Sequence, residues 1–133
     1  MAGAAGAVGV AGAGPAAARE AAEVPLSFTR ATNGSATLSP TGDRIVAEVQ
    51  HVLWAQARGG GKAEQLTPPG LEPNRPVYAP DGELIAFCAF QGGGFHIWTM
   101  RPDGSEVEQR TEGPWDDRGP AWSPDGTRLA FAS

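Results

Sequence analysis

The sequence predicts an all-β chain assembled from serial four-stranded antiparallel units. Three observations lead there: a Pro-Asp-Gly segment that returns at nearly even spacing, a second set of matches that returns in step with it, and an abundance of turn formers. Among 133 residues there are 19 glycines and 12 prolines, which favours short strands and tight turns over long helices. Hydrophobic residues make up 41% and charged residues 19%, a composition that folds, and the length suits one domain.

The repeat is visible by direct alignment. Leu38-Ser39-Pro40-Thr41-Gly42-Asp43-Arg44-Ile45-Val46, Tyr78-Ala79-Pro80-Asp81-Gly82-Glu83-Leu84-Ile85-Ala86-Phe87 and Trp122-Ser123-Pro124-Asp125-Gly126-Thr127-Arg128-Leu129-Ala130-Phe131 share one pattern, with prolines 40 and 44 residues apart. Leu53-Trp54 matches Ile97-Trp98, Glu64-Gln65-Leu66-Thr67 matches Glu108-Gln109-Arg110-Thr111, and Pro76 matches Pro120, all at an offset of 44. The four-residue difference therefore falls between Ile45 and Leu53, and Gln91-Gly92-Gly93-Gly94 reads as an insertion in the second copy.

Each copy reads as four short strands, in the second copy near residues 76–79, 84–89, 96–101 and 106–111. The second strand is continuously apolar and is expected to be buried on both faces. The fourth alternates with polar residues and is expected at the outer edge. Pro-Asp-Gly joins the first two strands: proline presets φ, aspartate bonds back to the backbone, and glycine takes the positive φ. Arg101-Pro102-Asp103-Gly104 repeats that chemistry between strands three and four. A period of about 40 to 45 residues with four strands per unit describes a propeller blade.

The run from Trp122 to Ser133, and that from His96-Ile97-Trp98 through Asp103-Gly104-Ser105 to Gln109-Arg110-Thr111, resemble the blade signature of TolB-like, Pro-Asp-Gly-repeat β-propellers. The resemblance covers roughly residues 25–133. The first copy departs from it, with Thr41 in place of the aspartate and Arg58-Gly59-Gly60-Gly61 in place of Pro-Asp-Gly-Ser, changes expected to weaken individual turns. The expected architecture is a partial β-propeller of about two and a half four-stranded antiparallel blades. A leading strand at 24–30 precedes a blade at 35–67, a blade at 75–111 and a half blade at 119–133. The leading strand is expected to complete the last blade of a closed ring. Because closed propellers have typically four to eight blades, the expected chain is a truncated product or fragment. It would be marginally stable and prone to self-association through unpaired edge strands.

Residues 1–23 stand apart from this pattern. Residues 1–18 are nearly all alanine, glycine and valine, with no charge before Arg19. They read as an irregular or helical segment that is either disordered or signal-like, with Ala16-Ala17-Ala18 as a small-residue cleavage site. The low hydrophobicity resembles the core of a twin-arginine signal, which implies a periplasmic or secreted protein. The stretch is too short and glycine-rich for a stable membrane span.

The motifs of most enzyme classes are missing from the sequence. There is no Gly-x-Ser-x-Gly elbow, phosphate loop or dinucleotide fingerprint. His51 and His96 are the only histidines, each opening a third strand, without metal-ligand spacing. Cys88, the single cysteine, lies in an apolar run and reads as a buried inert thiol. Asp81 and Asp125 sit inside repeated turns, which makes them structural. No catalytic, cofactor or metal residues are expected. A net charge of -5 with scattered cations argues against nucleic acid. Trp54 and Trp98 recur, as do Tyr78 and Trp122, and recurrence implies packing between blades. Trp115 does not recur and sits in the loop with Asp116, Asp117 and Arg118, which makes these four the candidate contacts for a protein partner.

The expected function is a non-catalytic binding or scaffolding module. The alternative is the propeller part of a larger hydrolase, of amidohydrolase or prolyl-oligopeptidase type, because Ser27-Phe28-Thr29 followed by Ser39-Pro40-Thr41-Gly42 resembles the opening of propellers fused to amidohydrolase domains.

Overall fold

The computed structural model describes residues 34–133 in full, and residues 4–9 and 23–28 as strand backbone. Among the described residues every regular element is a strand. The first blade joins β3 (Ala36–Leu38), β4 (Arg44–Val49), β5 (Val52–Ala57) and β6 (Glu64–Gln65) in that order. The second joins β7 (Asn74–Tyr78), β8 (Ile85–Gln91), β9 (Gly94–Met100) and β10 (Glu108–Gln109) in the same order. A third sheet holds β11 (Arg118–Trp122) and β12 (Leu129–Ala132). All neighbours are antiparallel.

The copies repeat register as well as sequence. Leu38, Tyr78 and Trp122 lie opposite Ile45, Ile85 and Leu129, and Trp54 and Trp98 lie opposite Gln65 and Gln109. The side-chain bonds recur too. The Thr67 hydroxyl accepts from the Leu53 amide at 2.9 Å and that of Thr111 from the Ile97 amide at 3.0 Å. A break in pairing falls between Asn74 and Val77 in β7, and between Arg118 and Ala121 in β11. Its cause is the proline in each, Pro76 or Pro120, which has no N–H for the ladder. Arg75 and Gly119 just before take φ of 52° and 64°.

The turns close as their residues dictate. The amides of Gly42, Gly82 and Gly126 each donate to the carbonyl three residues back at 2.8–2.9 Å. In the first copy, where threonine replaces aspartate, Asp43 takes over and accepts from the Ser39 hydroxyl at 2.8 Å and from Thr41. Successive turns stack: a Cβ at Gly82 would meet Pro40 at 3.6 Å, and one at Gly126 would meet Pro80 at 3.5 Å.

The core lies between the two blades. Val46, Leu53, Ala55 and Leu66 from the first pack with Tyr78, Ile85, Phe87, Ala89, Trp98 and Met100 from the second. Each fully buried Leu, Ile, Phe or Met side chain contributes about 1.5–3 kcal/mol. β8 is buried on both faces, as its unbroken apolar run requires. Phe87 points into this core, while the Cys88 sulfur, on the opposite face, accepts from the Gly119 amide at 3.3 Å. Burial pushes the Cys88 thiol up, which keeps it protonated and unreactive.

Some details depart from the sequence expectation. Ala4–Gly9 (β1) is a strand rather than irregular or helical, paired with Glu23–Phe28 (β2) from Ala4 opposite Phe28 to Gly9 opposite Glu23. Ladder bonds use only the backbone, so small side chains do not prevent them. β2, the leading strand, pairs with β1. His51 sits in the two-residue turn between β4 and β5, not at a strand start. The signal-like features at residues 10–18 lie outside the described residues.

Candidate functional site

The two blades differ most at the hairpin between their second and third strands. In the first, Val49 pairs with Val52 around a turn of Gln50 and His51, both at positive φ (51° and 60°). In the second, two further rungs, Phe90 opposite Phe95 and Gln91 opposite Gly94, carry the hairpin outward to Gly92-Gly93, with φ of 68° and 95°. The inserted residues are therefore an extension of the hairpin, and they bring two aromatic rings. Phe90 and Phe95 meet edge-to-face at 5.3 Å, the arrangement their ring quadrupoles favour.

An extension beyond the sheet leaves Phe95 without a fourth-strand neighbour, because β10 reaches only Trp98 and Thr99. The loop before β11 supplies the missing bonds. The Phe95 amide donates to Asp116 Oδ1 at 2.9 Å, and the Asp117 amide donates to the Phe95 carbonyl at 2.8 Å. The Arg118 guanidinium lies 3.9 Å over the Phe95 ring and donates to Asp116 Oδ2 at 3.0 Å, a cation–π contact that pins the ring. The amide of Phe95, with Arg118 second, holds the Asp116 carboxyl below the usual carboxylate range.

Of the four residues that the sequence singled out, Asp116, Asp117 and Arg118 all converge on the Phe95–His96 segment. Trp115 stands beside them, 70% exposed. Asp117 is buried, its carboxyl lowered first by the Thr111 hydroxyl and then by Ser133 and His96. Its side chain thus faces inward, and the outer surface belongs to Trp115, Arg118 and the 41%-exposed Phe90. Sequence reasoning did not select Phe90, Phe95 or His96. The available signal was the insertion itself, with a phenylalanine on each side of its glycines.

A groove of about 390 Å³ lies between the second blade and the third sheet, lined by Ile97, Thr99, Arg110, Trp122, Leu129 and Phe131 among others. Among the described residues no group of three or more His, Cys, Asp or Glu side chains could hold a metal ion, and no helix is long and apolar enough to cross a membrane.

No family model matches the sequence, and no curated protein matches it significantly. Solved structures do. A TolB candidate from Agrobacterium tumefaciens superposes with a TM-score of 0.68 at 28% identity, over 80% of this chain and 40% of that one. TolB from Acinetobacter baumannii superposes with a TM-score of 0.64 at 20% identity, over 83% of this chain and 29% of that one. The chain thus spans less than half the length of either.

Proposed function

From the TolB-like propeller fold of this chain, we propose a non-catalytic binding or scaffolding module that meets a protein partner at the aromatic end of its second blade. The observation that carries this reading is the braced loop and hairpin that leave Trp115 and Phe90 exposed, with the half-buried Phe95 in contact with Phe90 and Arg118. An exposed aromatic group on a backbone fixed by hydrogen bonds loses little entropy on binding, and aromatic and arginine side chains dominate interface hot spots. Trp115 is the anchor, Arg118 and Phe90 its flank, and Asp116 and Asp117 hold the loop in place. The structural neighbours support the module-level reading, since both carry the TolB name.

The same proposal includes a periplasmic or secreted setting and the blade boundaries 35–67, 75–111 and 119–133. It also includes self-association through unpaired edge strands. A second reading makes this propeller the non-catalytic part of a larger hydrolase, and rests on the resemblance at Ser27-Phe28-Thr29. Reading the coding sequence beyond Ser133 separates the two: a His-x-His metal motif or a Gly-x-Ser-x-Gly elbow favours the hydrolase.

The contact surface is tested with a photo-crosslinker at position 115 in an envelope extract. The expected result is one saturable adduct, displaced by unlabelled wild-type protein and poorly by Trp115→Ala. An equally strong adduct from a crosslinker at Glu83, remote from the loop, would refute the assignment.

A further inference from the structure

The turn between β5 and β6 differs in charge from its counterpart in the second blade. At the offset of 44, Arg58, Gly59 and Lys62 stand where the second copy has Pro102, Asp103 and Glu106. At the proline offset of 40, Arg44 stands where it has Leu84. The second copy's turn is satisfied from within. Arg101 pairs with Glu83 at 3.0 Å and with Glu106 at 3.2 Å, and Asp103 accepts from the Ser105 amide and hydroxyl. In the first copy the acids of positions 103 and 106 are replaced by a glycine and a lysine. Among the described residues neither Arg58 nor Lys62 has a carboxylate partner.

Neither space nor conformation demands the change at residue 59. Gly60 and Gly61 take φ of 97° and 112°, which glycine supplies. Gly59 is not at positive φ, and a Cβ there would meet nothing within 4 Å. What the replacement achieves is the loss of a carboxylate and a bare amide, which has no acceptor among the described residues. The loop is nevertheless fixed. The Arg58 amide donates to the Asp43 carbonyl at 2.8 Å, the Gly60 amide to the Ala57 carbonyl at 2.9 Å, and the Gln56 side chain to the Gly61 carbonyl. Beside it lies a hollow of about 250 Å³ lined by Arg44, Gln56 and Lys62, with the carboxylates of Asp43 and Glu64. The Arg58 guanidinium rests on the adjoining turn, 3.8 Å from the Cβ position of Gly42. Both carboxylates are engaged: Asp43 accepts from the Ser39 and Thr41 hydroxyls, and Glu64 binds Arg44 at 2.8 Å. Glu64 is 71% exposed, so solvent weakens that pair, and Arg44 uses on it only one of its five N–H donors.

We propose that the β5–β6 loop and this hollow bind a phosphate group, held by Arg44, Arg58 and Lys62, with the Gly59 amide as a backbone donor. Cations that approach from separate elements suit a tetrahedral, multiply charged anion, whereas a planar carboxylate is satisfied by one arginine fork. A glycine backbone lets such an anion come close. The phosphate of a soluble ester and that of a lipid head group share this chemistry. The site lies at the end of the strands opposite the Phe90–Phe95 hairpin. It goes beyond the proposed function and holds whether or not Trp115 meets a partner.

Inorganic phosphate titrated into the full chain, against sodium chloride of equal ionic strength, tests it, with the backbone amides followed by NMR. Saturable shifts are expected at Gly59, Gly60, Gly61 and Lys62, and none at Gly126, whose turn lies beside the exposed Arg128. Arg58→Gln and Lys62→Gln should each weaken binding roughly fivefold. Gly59→Asp, which installs the second copy's acid at an exposed position, should weaken it at least as much with the rest of the spectrum in place. Phosphatidylcholine vesicles carrying phosphatidic acid separate the two sources. Co-sedimentation that is lost in these variants assigns a lipid head group, and saturable phosphate binding without co-sedimentation assigns a soluble ester. Shifts that do not saturate, equal shifts at Gly126, or unchanged affinity when Arg58 and Lys62 are both replaced would overturn the proposal.

Discussion

Gly104 presses its backbone against Leu66 of the neighbouring blade: a Cβ at residue 104 would lie 2.7 Å from the Leu66 carbonyl oxygen. Gly104 also holds φ at 85°, where an L side chain is strained. Both demands fall on the turn that locks the second blade to the first. Gly104→Ala is expected to destabilise the chain by about 3 kcal/mol, read as a lowered denaturant midpoint. Gly92→Ala, with open space around it but φ of 68°, should cost only the conformational part, roughly 1 kcal/mol.

Thr67 is nearly inaccessible and uses its hydroxyl to accept from the Leu53 amide. Thr67→Val keeps the volume and orphans that amide. The expected loss is about 1–3 kcal/mol, measured by chemical denaturation. Thr37→Val, whose hydroxyl accepts from the Tyr78 amide at a longer 3.3 Å, should lose less.

His51 holds φ at 60° in a two-residue hairpin turn, a conformation that glycine adopts without strain. His51→Gly is expected to raise stability by about 1 kcal/mol, seen as an increased melting temperature. A decrease would show that the imidazole contributes more than its backbone costs.

Asp125 is held at about 2 by the Ser123 hydroxyl, then by the amide and hydroxyl of Thr127. A carboxyl lowered on folding adds stability above its unfolded value of 3.8, and this is lost as pH falls toward about 2. Acid should therefore loosen the turn between β11 and β12 across that window. Amide exchange at Gly126, bonded to the Ser123 carbonyl, is expected to accelerate over it in the wild type and to change less in Asp125→Asn.

The repeating parts of the fold were legible because recurrence exposes them. Ile45, Ile85 and Leu129 align in sequence and also in register. Trp54 and Trp98 recur at an offset of 44 and occupy equivalent, nearly buried places. The fourth strand is shorter than its polar alternation suggests, two residues rather than six. Glu106 turns the chain at φ 52°, and the Arg110 and Thr111 amides both converge on the Ile97 carbonyl. β1 was illegible because alanine and glycine carry little strand preference and no face pattern. The site was half legible for the opposite reason. Failure to recur picked out Trp115, but nothing local in the sequence announces that residues 96 and 117 meet. Their encounter depends on the loop before β11 running beside β9.

The hairpin of the second blade grows by two whole rungs, and this sets a rule for how such an edge can vary. Antiparallel rungs alternate between two bonding types, and the tight two-residue turn fits only one of them. One added rung would present the wrong type to the turn and demand a different loop. Two restore it, so Gly92-Gly93 can close the longer arm as Gln50-His51 closes the shorter one. Growth in quanta of four lets this rim acquire new surface while the inner strands keep their alignment.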